Sequence, residues 1–452
     1  MLRRFYTSLL QWKDSPIRMP LLVRGARQTG KSYIIKTFGT QEFDQLITLN
    51  FELDPHLITC FDDLHPQKIL EKITIFTNQT PTLGKTLLFL DEIQESPNAI
   101  LALRYFKEQM PELHVIGAGS LLEFTLNHAD FSMPVGRVAF LYLYPMTYYE
   151  FLQALNHDKL VEFLQQIQIG EEIPIAIHNR LIELLKLYLV IGGMPAAIEA
   201  YCKEKNLNHC QQIQAALLNT YKNDFGKYAS SANQAHCRKI FEKAPYLVAK
   251  QFKYVDVDPN IQSRSLKEAL HLLVQAGILH LVYFTQANGL PLNALINEKK
   301  FKLLFLDVGL VKYGSLLDAE LLLQKDLLLV NSGQISEQFV GQELMAYQIP
   351  YESAQLYFWE KSTNLTSAEI DYVMNMGSAI IPIEVKAGKT GRLRSLFSFM
   401  EEKKSPLGIR ISQDYFSLEG KILSLPLYMV GEVQRLAKML LSQKGNNEKI
   451  IS

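Results

Sequence analysis

Over the first 145 residues, short apolar runs alternate with stretches whose apolar positions recur every three or four residues. The runs Leu21–Val23, Leu46–Asn50, Thr86–Leu90, His114–Gly117 and Ala139–Leu143 predict strands, and Ser32–Phe38 and Asn98–Glu108 predict helices between them. This alternation predicts a parallel sheet covered by helices on both faces. From Thr147 to about Asp224 the period is helical, broken once at Gly192-Gly193-Met194-Pro195, which predicts a turn.

The pattern changes again over residues 235–310. A helix is expected at His236–Lys250, a polar turn at Asp256–Ser263, and a second helix at Arg264–Ala276 ended by Gly277. Strand-like runs follow at Ile278–Phe284 and Lys302–Leu306, and helix, turn, helix, β-ribbon is the order of a winged helix. Beyond Gly333, a helix at Ser336–Ala346 precedes strand-like Tyr357–Glu360, Glu369–Met374 and Ala379–Lys386, a small α/β unit. The expected divisions are 1–150 for the first sheet, 151–234 for a helical lid or linker, 235–325 for a winged-helix-like domain and 326–452 for the last unit.

Composition narrows this picture modestly. A chain of 452 residues exceeds what one core accommodates, so several domains are expected. With 46 Lys+Arg against 46 Asp+Glu, no global field recruits a polyanion, and any nucleic-acid contact would rest on local basic patches. The four cysteines (Cys60, Cys202, Cys210, Cys237) show no metal-site spacing and read as reduced thiols. No apolar run approaches the roughly 18 residues a membrane span needs, and Met1–Lys13 lacks the apolar region of a leader; a cytoplasmic protein without membrane partners is expected.

The chemistry concentrates in the first sheet. Gly25-Ala26-Arg27-Gln28-Thr29-Gly30-Lys31-Ser32 has the spacing of a P-loop. Its glycines permit a tight turn whose N–H groups face phosphate oxygens; Lys31 would neutralise the β- and γ-phosphates of ATP, and the Ser32 hydroxyl would ligate Mg²⁺. The strand Thr86–Leu90 ends in Asp91 and Glu92: Asp91 would hold Mg²⁺, and Glu92 would polarise the attacking water. Ser120, just past the His114–Gly117 strand, would position the γ-phosphate or the water, or else serve as a helix N-cap. Arg137 is a candidate arginine finger, or else a surface arginine.

Taken together these residues resemble one family of AAA-type ATPases whose members also carry a C-terminal region known as DUF4143. The resemblance rests on Gly25–Ser32, Asn50-Phe51-Glu52, Leu90-Asp91-Glu92-Ile93-Gln94, Ala118-Gly119-Ser120, Pro134-Val135-Gly136-Arg137 and Tyr144-Pro145. Gly192–Pro195, Tyr221–Tyr228 and Phe305–Leu310 look like landmarks of DUF4143. The resemblance implies a bacterial or archaeal P-loop NTPase with an ASCE-type parallel sheet, and it supplies no substrate. Ser120 stands where AAA proteins commonly carry a sensor asparagine.

Toward the C-terminus, Glu337 lies on an expected helix, Asp371 on a strand, and Glu384-Val385-Lys386 on the next strand. That is the order of acids in PD-(D/E)XK nucleases, although Ile370 replaces the usual proline before Asp371. Glu337, Asp371 and Glu384 would hold one or two Mg²⁺ ions, and Lys386 would orient water. Two alternatives stay open: an inactive restriction-endonuclease-like α/β domain used for binding, or a simple Glu384–Lys386 pair on a solvated strand face. In the winged-helix segment, Arg264 and Lys267 would sit on a recognition helix, with Lys239, Lys253, Lys299, Lys300 and Lys302 adding phosphate contacts. The expected function is a Mg²⁺-dependent ATPase coupled to a DNA-associated process. The alternative is a non-nucleolytic, ATP-dependent switch that binds a protein partner through the C-terminal domain. ATP, DNA, a protein partner and further copies of the chain are the partners considered.

Overall fold

The computed structural model describes residues 3–126, 136–315, 332–362, 367–386, 388 and 393–450. The fold is α/β, with a parallel sheet, a helical middle and a C-terminal mixed sheet. The chain forms two compact units. The first is Met1–Pro145 joined by Gln275–Ile278 and Ile349–Ala354; the second is Met146–Val274, Leu279–Gln348 and Gln355–Ser452. Pro134 and Val135, part of one landmark above, lie outside the described residues.

In the first unit α1 (Arg4–Lys13), β1 (Leu21–Arg24), α2 (Lys31–Glu42), β2 (Gln45–Asn50), α3 (Pro66–Thr77), β3 (Thr86–Asp91), α4 (Pro97–Gln109), β4 (His114–Ala118), α5 (Leu122–Leu126) and β5 (Ala139–Tyr142) follow one another. The sheet runs β2-β3-β4-β1-β5, with every pairing parallel. Successive residues of each strand enter opposite cores. Leu22, Leu88, Leu90 and Val115 pack into one face, and Leu21, Val23, Leu87, Phe89 and Ile116 into the other. Burial on both faces explains why these strands are apolar along their whole length. Strand β4 lies between β1 and β3, which holds the strand leading into the glycine-rich loop one strand away from the acid-tipped strand.

The second unit begins with six helices: α6 (Tyr148–Ala154), α7 (Asp158–Gln166), α8 (Ile175–Ile191), α9 (Pro195–Glu204), α10 (Leu207–Tyr228) and α11 (Ser231–Leu247). The turn expected at Gly192–Pro195 separates α8 from α9. Its geometry is set by Asp307, which accepts the Gly193 N–H; Gly192 has φ 79°, and a Cβ there would lie 2.1 Å from Asp307 Oδ1. Burial raises the Asp307 carboxyl to about 6 against the backbone donors of Gly193, Leu310 and Gly309.

The short α12 (Tyr254–Val257) and α13 (Ser263–Gln275) lead to an antiparallel hairpin, β6 (Leu279–Thr285) and β7 (Ile296–Phe305). Then come α14 (Val308–Gly314), α15 (Ser332–Ala346), β8 (Leu356–Ser362), β9 (Ser367–Met376), β10 (Ala379–Val385), α16 (Arg394–Lys403), β11 (Gly408–Ser412), β12 (Ser417–Glu419), β13 (Ile422–Pro426) and α17 (Val433–Ile450). One eight-stranded sheet runs β12-β13-β11-β10-β9-β8-β6-β7.

The hairpin read as a wing is therefore the edge of this sheet, joined through parallel pairing of Val282 with Leu356 and Phe284 with Phe358. The sheet thus passes through the boundary expected at 325–326. Strand β7 also starts six residues earlier than Lys302, because its outer half, Asn297-Glu298-Lys299-Lys300, is polar and hides the period. Among the described residues no helix is long and apolar enough to cross a membrane.

Candidate functional site

The carboxyl edge of the five-stranded sheet gathers the candidate nucleotide-site residues. Gly25, Gln28 and Gly30 have φ of 141°, 66° and 94°, so the segment after β1 curls into a tight loop before α2 begins at Lys31. A Cβ on Gly25 would meet the Leu143 carbonyl oxygen at 2.2 Å, so the first glycine is required by close backbone approach. Thr29 Oγ1 donates to the Ala26 carbonyl, and Arg3 donates to the carbonyls of Thr29 and Tyr144, bracing the loop from outside. The Lys31 ammonium is buried and donates to the carbonyls of Gly25 and Ala26 at 2.9 and 2.8 Å. Burial lowers its pKa to about 8, against the pull of Glu92 and Asp91. Arg27 and Gln28 belong to the same loop, and the charge of Arg27 adds to the lowering of the Lys31 pKa.

Ser32 Oγ donates to Asp91 Oδ1 at 2.7 Å, joining the first turn of α2 to the tip of β3. The other carboxylate oxygen of Asp91 accepts from Asn50 Nδ2 at 3.2 Å, and Lys36 Nζ stands 3.8 Å from it. Asn50 reaches Asp91 because β2 and β3 pair in register at these two residues. Its Oδ1 also accepts the N–H groups of Glu52 and Leu53, which fixes the amide orientation. Glu92 follows with φ 53°, a left-handed conformation uncommon for a side-chain-bearing residue, and its carboxylate accepts from Gln94 Nε2 at 2.8 Å. A Cβ on Gly119 would fall 1.8 Å from Gln94 Oε1, so this glycine leaves room for the glutamine. Asn50 and Gln94 were legible as landmarks, but their contacts with the acids depend on register and turn geometry.

Ser120 is buried two residues past Ala118, which pairs with both Asp91 and Val23, so it lies at the same sheet edge. Arg137 is placed elsewhere. It precedes β5, whose first residue pairs with Leu21 at the start of β1, and it forms a 3.0 Å ion pair with Glu108 near the end of α4. It therefore stands at the edge opposite to the Gly25–Ser32 loop of its own chain.

The second cluster lies in the eight-stranded sheet. Glu337 (α15), Asp371 (β9) and Glu384 (β10) do converge, but around a lysine. Lys302 from β7 is 2% exposed; its ammonium donates to Glu337 Oε1 at 2.7 Å, pairs with Glu369 and stands 3.7 Å from Asp371 Oδ1. This corrects the reading of Lys302 as an exposed phosphate contact: it faces the sheet's acids, with the Phe358 ring 5.3 Å away. Burial works against its charge, but Glu337, Asp371 and Glu369 outweigh it and raise its pKa.

Asp371 Oδ2 accepts the Val385 N–H at 2.8 Å, and Lys386 pairs with Glu384 Oε1. That last pair is not on a solvated face, since Glu384 is 4% exposed; burial and Asp371 raise its carboxyl to about 7. Among the other basic residues of the winged-helix segment, Lys239 pairs with Asp258, Arg264 with Glu268 and Lys300 with Glu360.

Comparison with known proteins assigns the segments. Residues 18–152 match the family model of an AAA domain, 182–321 that of a domain of unknown function (DUF8612), and 332–428 that of another (DUF4143). Gly192–Pro195, Tyr221–Tyr228 and Phe305–Leu310 thus fall in the DUF8612 match, which corrects their reading as DUF4143 landmarks. No curated protein matches the chain. Among solved structures, a Walker-type ATPase of Pyrococcus abyssi is similar at 14% identity over 70% of this chain and 95% of that chain, with a TM-score of 0.44. The ORC2 protein of Aeropyrum pernix is similar at 11% identity over 62% and 84%, with a TM-score of 0.33. The RuvB Holliday junction branch migration motor of Thermotoga maritima is similar at 14% over 62% and 89%, with a TM-score of 0.30.

Proposed function

We propose that this chain binds ATP with Mg²⁺ and hydrolyses it at the carboxyl edge of the five-stranded sheet. The observation that carries this reading is the 2.7 Å contact between Ser32 Oγ and Asp91 Oδ1, which brings two hard oxygen donors together beside a glycine-rich loop. The residues suit the ligand. Gly25, Ala26, Arg27, Gln28, Thr29, Gly30, Lys31 and Ser32 would wrap the phosphates, with Lys31 exchanging its two loop carbonyls for phosphate oxygens. Ser32 and Asp91 would hold Mg²⁺, and Asn50 keeps the Asp91 carboxylate turned toward Ser32. Mg²⁺ held there would supply charge neutralisation to the phosphates. Glu92 would orient water for in-line attack, positioned by Gln94, while Ser120 would contact the γ-phosphate or that water.

Two substitutions test the assignment. Lys31→Ala is expected to lose nucleotide binding while keeping its unfolding profile. Glu92→Gln is expected to retain binding and lose turnover by about 100-fold or more. Wild-type affinity in the first variant, or wild-type turnover in the second, would sink the reading.

For the work done by hydrolysis, we favour a DNA-associated process, since Lys253, Arg264, Lys267 and Lys299 are exposed in the segment read as a winged helix. An ATP-dependent switch binding a protein partner through the C-terminal region is the second reading, favoured by the carboxylate partners of Lys239, Arg264 and Lys300. Hydrolysis measured with double-stranded, single-stranded and branched DNA separates them. Stimulation that disappears in Glu92→Gln supports the first, and a rate indifferent to every DNA supports the second.

A further inference from the structure

The acid order Glu337, Asp371, Glu384 with Lys386 suggests a divalent metal site, and the residues present do not fit one. An oxygen-ligated cation such as Mg²⁺ needs several carboxylate oxygens aimed at one point and free of other partners. Here the point faced by Glu337 and Asp371 is taken by the Lys302 ammonium, which Glu369 also contacts. The remaining Asp371 oxygen accepts the Val385 N–H, and one Glu384 oxygen is taken by Lys386. Of these three acids, Glu384 has an oxygen, Oε2, that is buried without a hydrogen-bond partner, and one oxygen does not make a site. No group of three or more acids, histidines or cysteines among the described residues is arranged to hold a metal ion.

We propose that Lys302 is the resident cation of this cluster, so that the C-terminal sheet carries a metal-free ion network in place of a divalent-metal nuclease centre. Lys302 projects from β7, the outer strand of the hairpin, into a cluster formed by α15, β9 and β10. Its charge is covalently fixed to the chain, so the network forms on folding without any ion from solution. Removing the lysine would leave the buried Glu337 and the partly buried Asp371 without their counter-charge, which is the costly way to break such a pair. In the intact protein the network ties the hairpin to the rest of the sheet, and phosphodiester cleavage by a metal-bound water has no place in it. This inference concerns the C-terminal sheet alone and stands or falls independently of ATP hydrolysis in the first unit.

The test is Mn²⁺ titration of the full-length, nucleotide-free protein, with free Mn²⁺ read by electron paramagnetic resonance. Asp371→Asn serves as the reference that subtracts any binding at the phosphate loop. The wild type and Asp371→Asn are expected to bind the same number of Mn²⁺ ions, and any Tm difference between EDTA and Mn²⁺ to be the same in both. An Mn²⁺ equivalent bound by the wild type and lost in both Asp371→Asn and Glu384→Gln would overturn the proposal.

Lys302→Met adds an opposite readout. Its Tm is expected to fall by several degrees, and an unchanged Tm would also overturn the assignment. Should that variant fail to fold, the wild-type titration still decides.

Discussion

His114 opens strand β4 with its ring against the edges of Trp12 and Phe43, at centroid separations of 5.9 and 4.8 Å. Burial lowers its pKa from 6.5 to about 4, helped by the nearby charges of Arg18 and Lys13. The folded protein therefore resists protonating this ring, whereas the unfolded chain takes up the proton once pH falls below about 6.5. Stability contributed by the neutral ring is complete above that pH and is lost as pH falls toward 4, by up to on the order of 3 kcal/mol. His114→Phe is expected to flatten this acid-side loss. The check is urea unfolding of both proteins at pH 7 and pH 4.5; equal losses in wild type and variant would contradict it. At this same scale the glycines divide by cause: Gly25 is forced by the Leu143 carbonyl and Gly192 by the Asp307 carboxylate, neither of which is a sequence neighbour.

Among the elements, α6 shows how a local signal and its tertiary setting combine. Thr147 Oγ1 accepts the Glu150 N–H and Glu150 Oε2 accepts the Thr147 N–H, a capping box closed between residues three apart. Both residues are buried, so solvent would not replace the lost bonds. Thr147→Ala is expected to lower stability by about 1 to 2 kcal/mol, and Thr147→Ser to restore most of it. Thermal unfolding followed by circular dichroism measures the difference, and an unchanged midpoint in the alanine variant would remove the cap from the account.

Strand β7 carries the complementary lesson. Its inner half is buried and apolar apart from Lys302, while its outer half is polar, as suits a sheet edge that must not recruit another strand. Periodicity locates such a strand only where one face is buried, which is why its start reads as Lys302 instead of Ile296.

For the whole molecule, the placement of Arg137 tests whether one copy of the chain can act at the site of another. Arg137 stands at the edge of the sheet opposite to its own phosphate loop, so an arginine-finger role would require it to serve a neighbouring copy. Arg137→Ala is then expected to bind ATP normally and to lose turnover by about 1,000-fold. Mixed with Glu92→Gln, which retains Arg137 but lacks the acid, it should regain part of the lost activity, because mixed contacts pair an intact acid with an intact arginine. Absence of recovery in the mixture, or normal turnover in Arg137→Ala alone, would return Arg137 to the role shown by its Glu108 pair.

Much of the first unit was legible because its determinants are contiguous in the chain. The loop Gly25–Ser32 joins a strand directly to a helix, and Asp91 and Glu92 end an apolar strand, so local spacing alone places the glycine-rich loop and the acidic groups at the strand tips. The buried strands β11 and β13 escaped that reading, since short apolar runs carry no decisive period.

What the sequence determined by itself is thus the glycine-rich loop, the acidic strand tip and the alternation of elements around them. Tertiary structure alone decided that β4 separates β1 from β3, that Asn50 meets Asp91, and that Lys302 fills the space between Glu337 and Asp371. The physical reason is common to all three. Hydrogen bonds and ion pairs between strands depend on neighbour order and register, which arise when remote segments bury their apolar faces together, and no local periodicity encodes which charge will arrive opposite another.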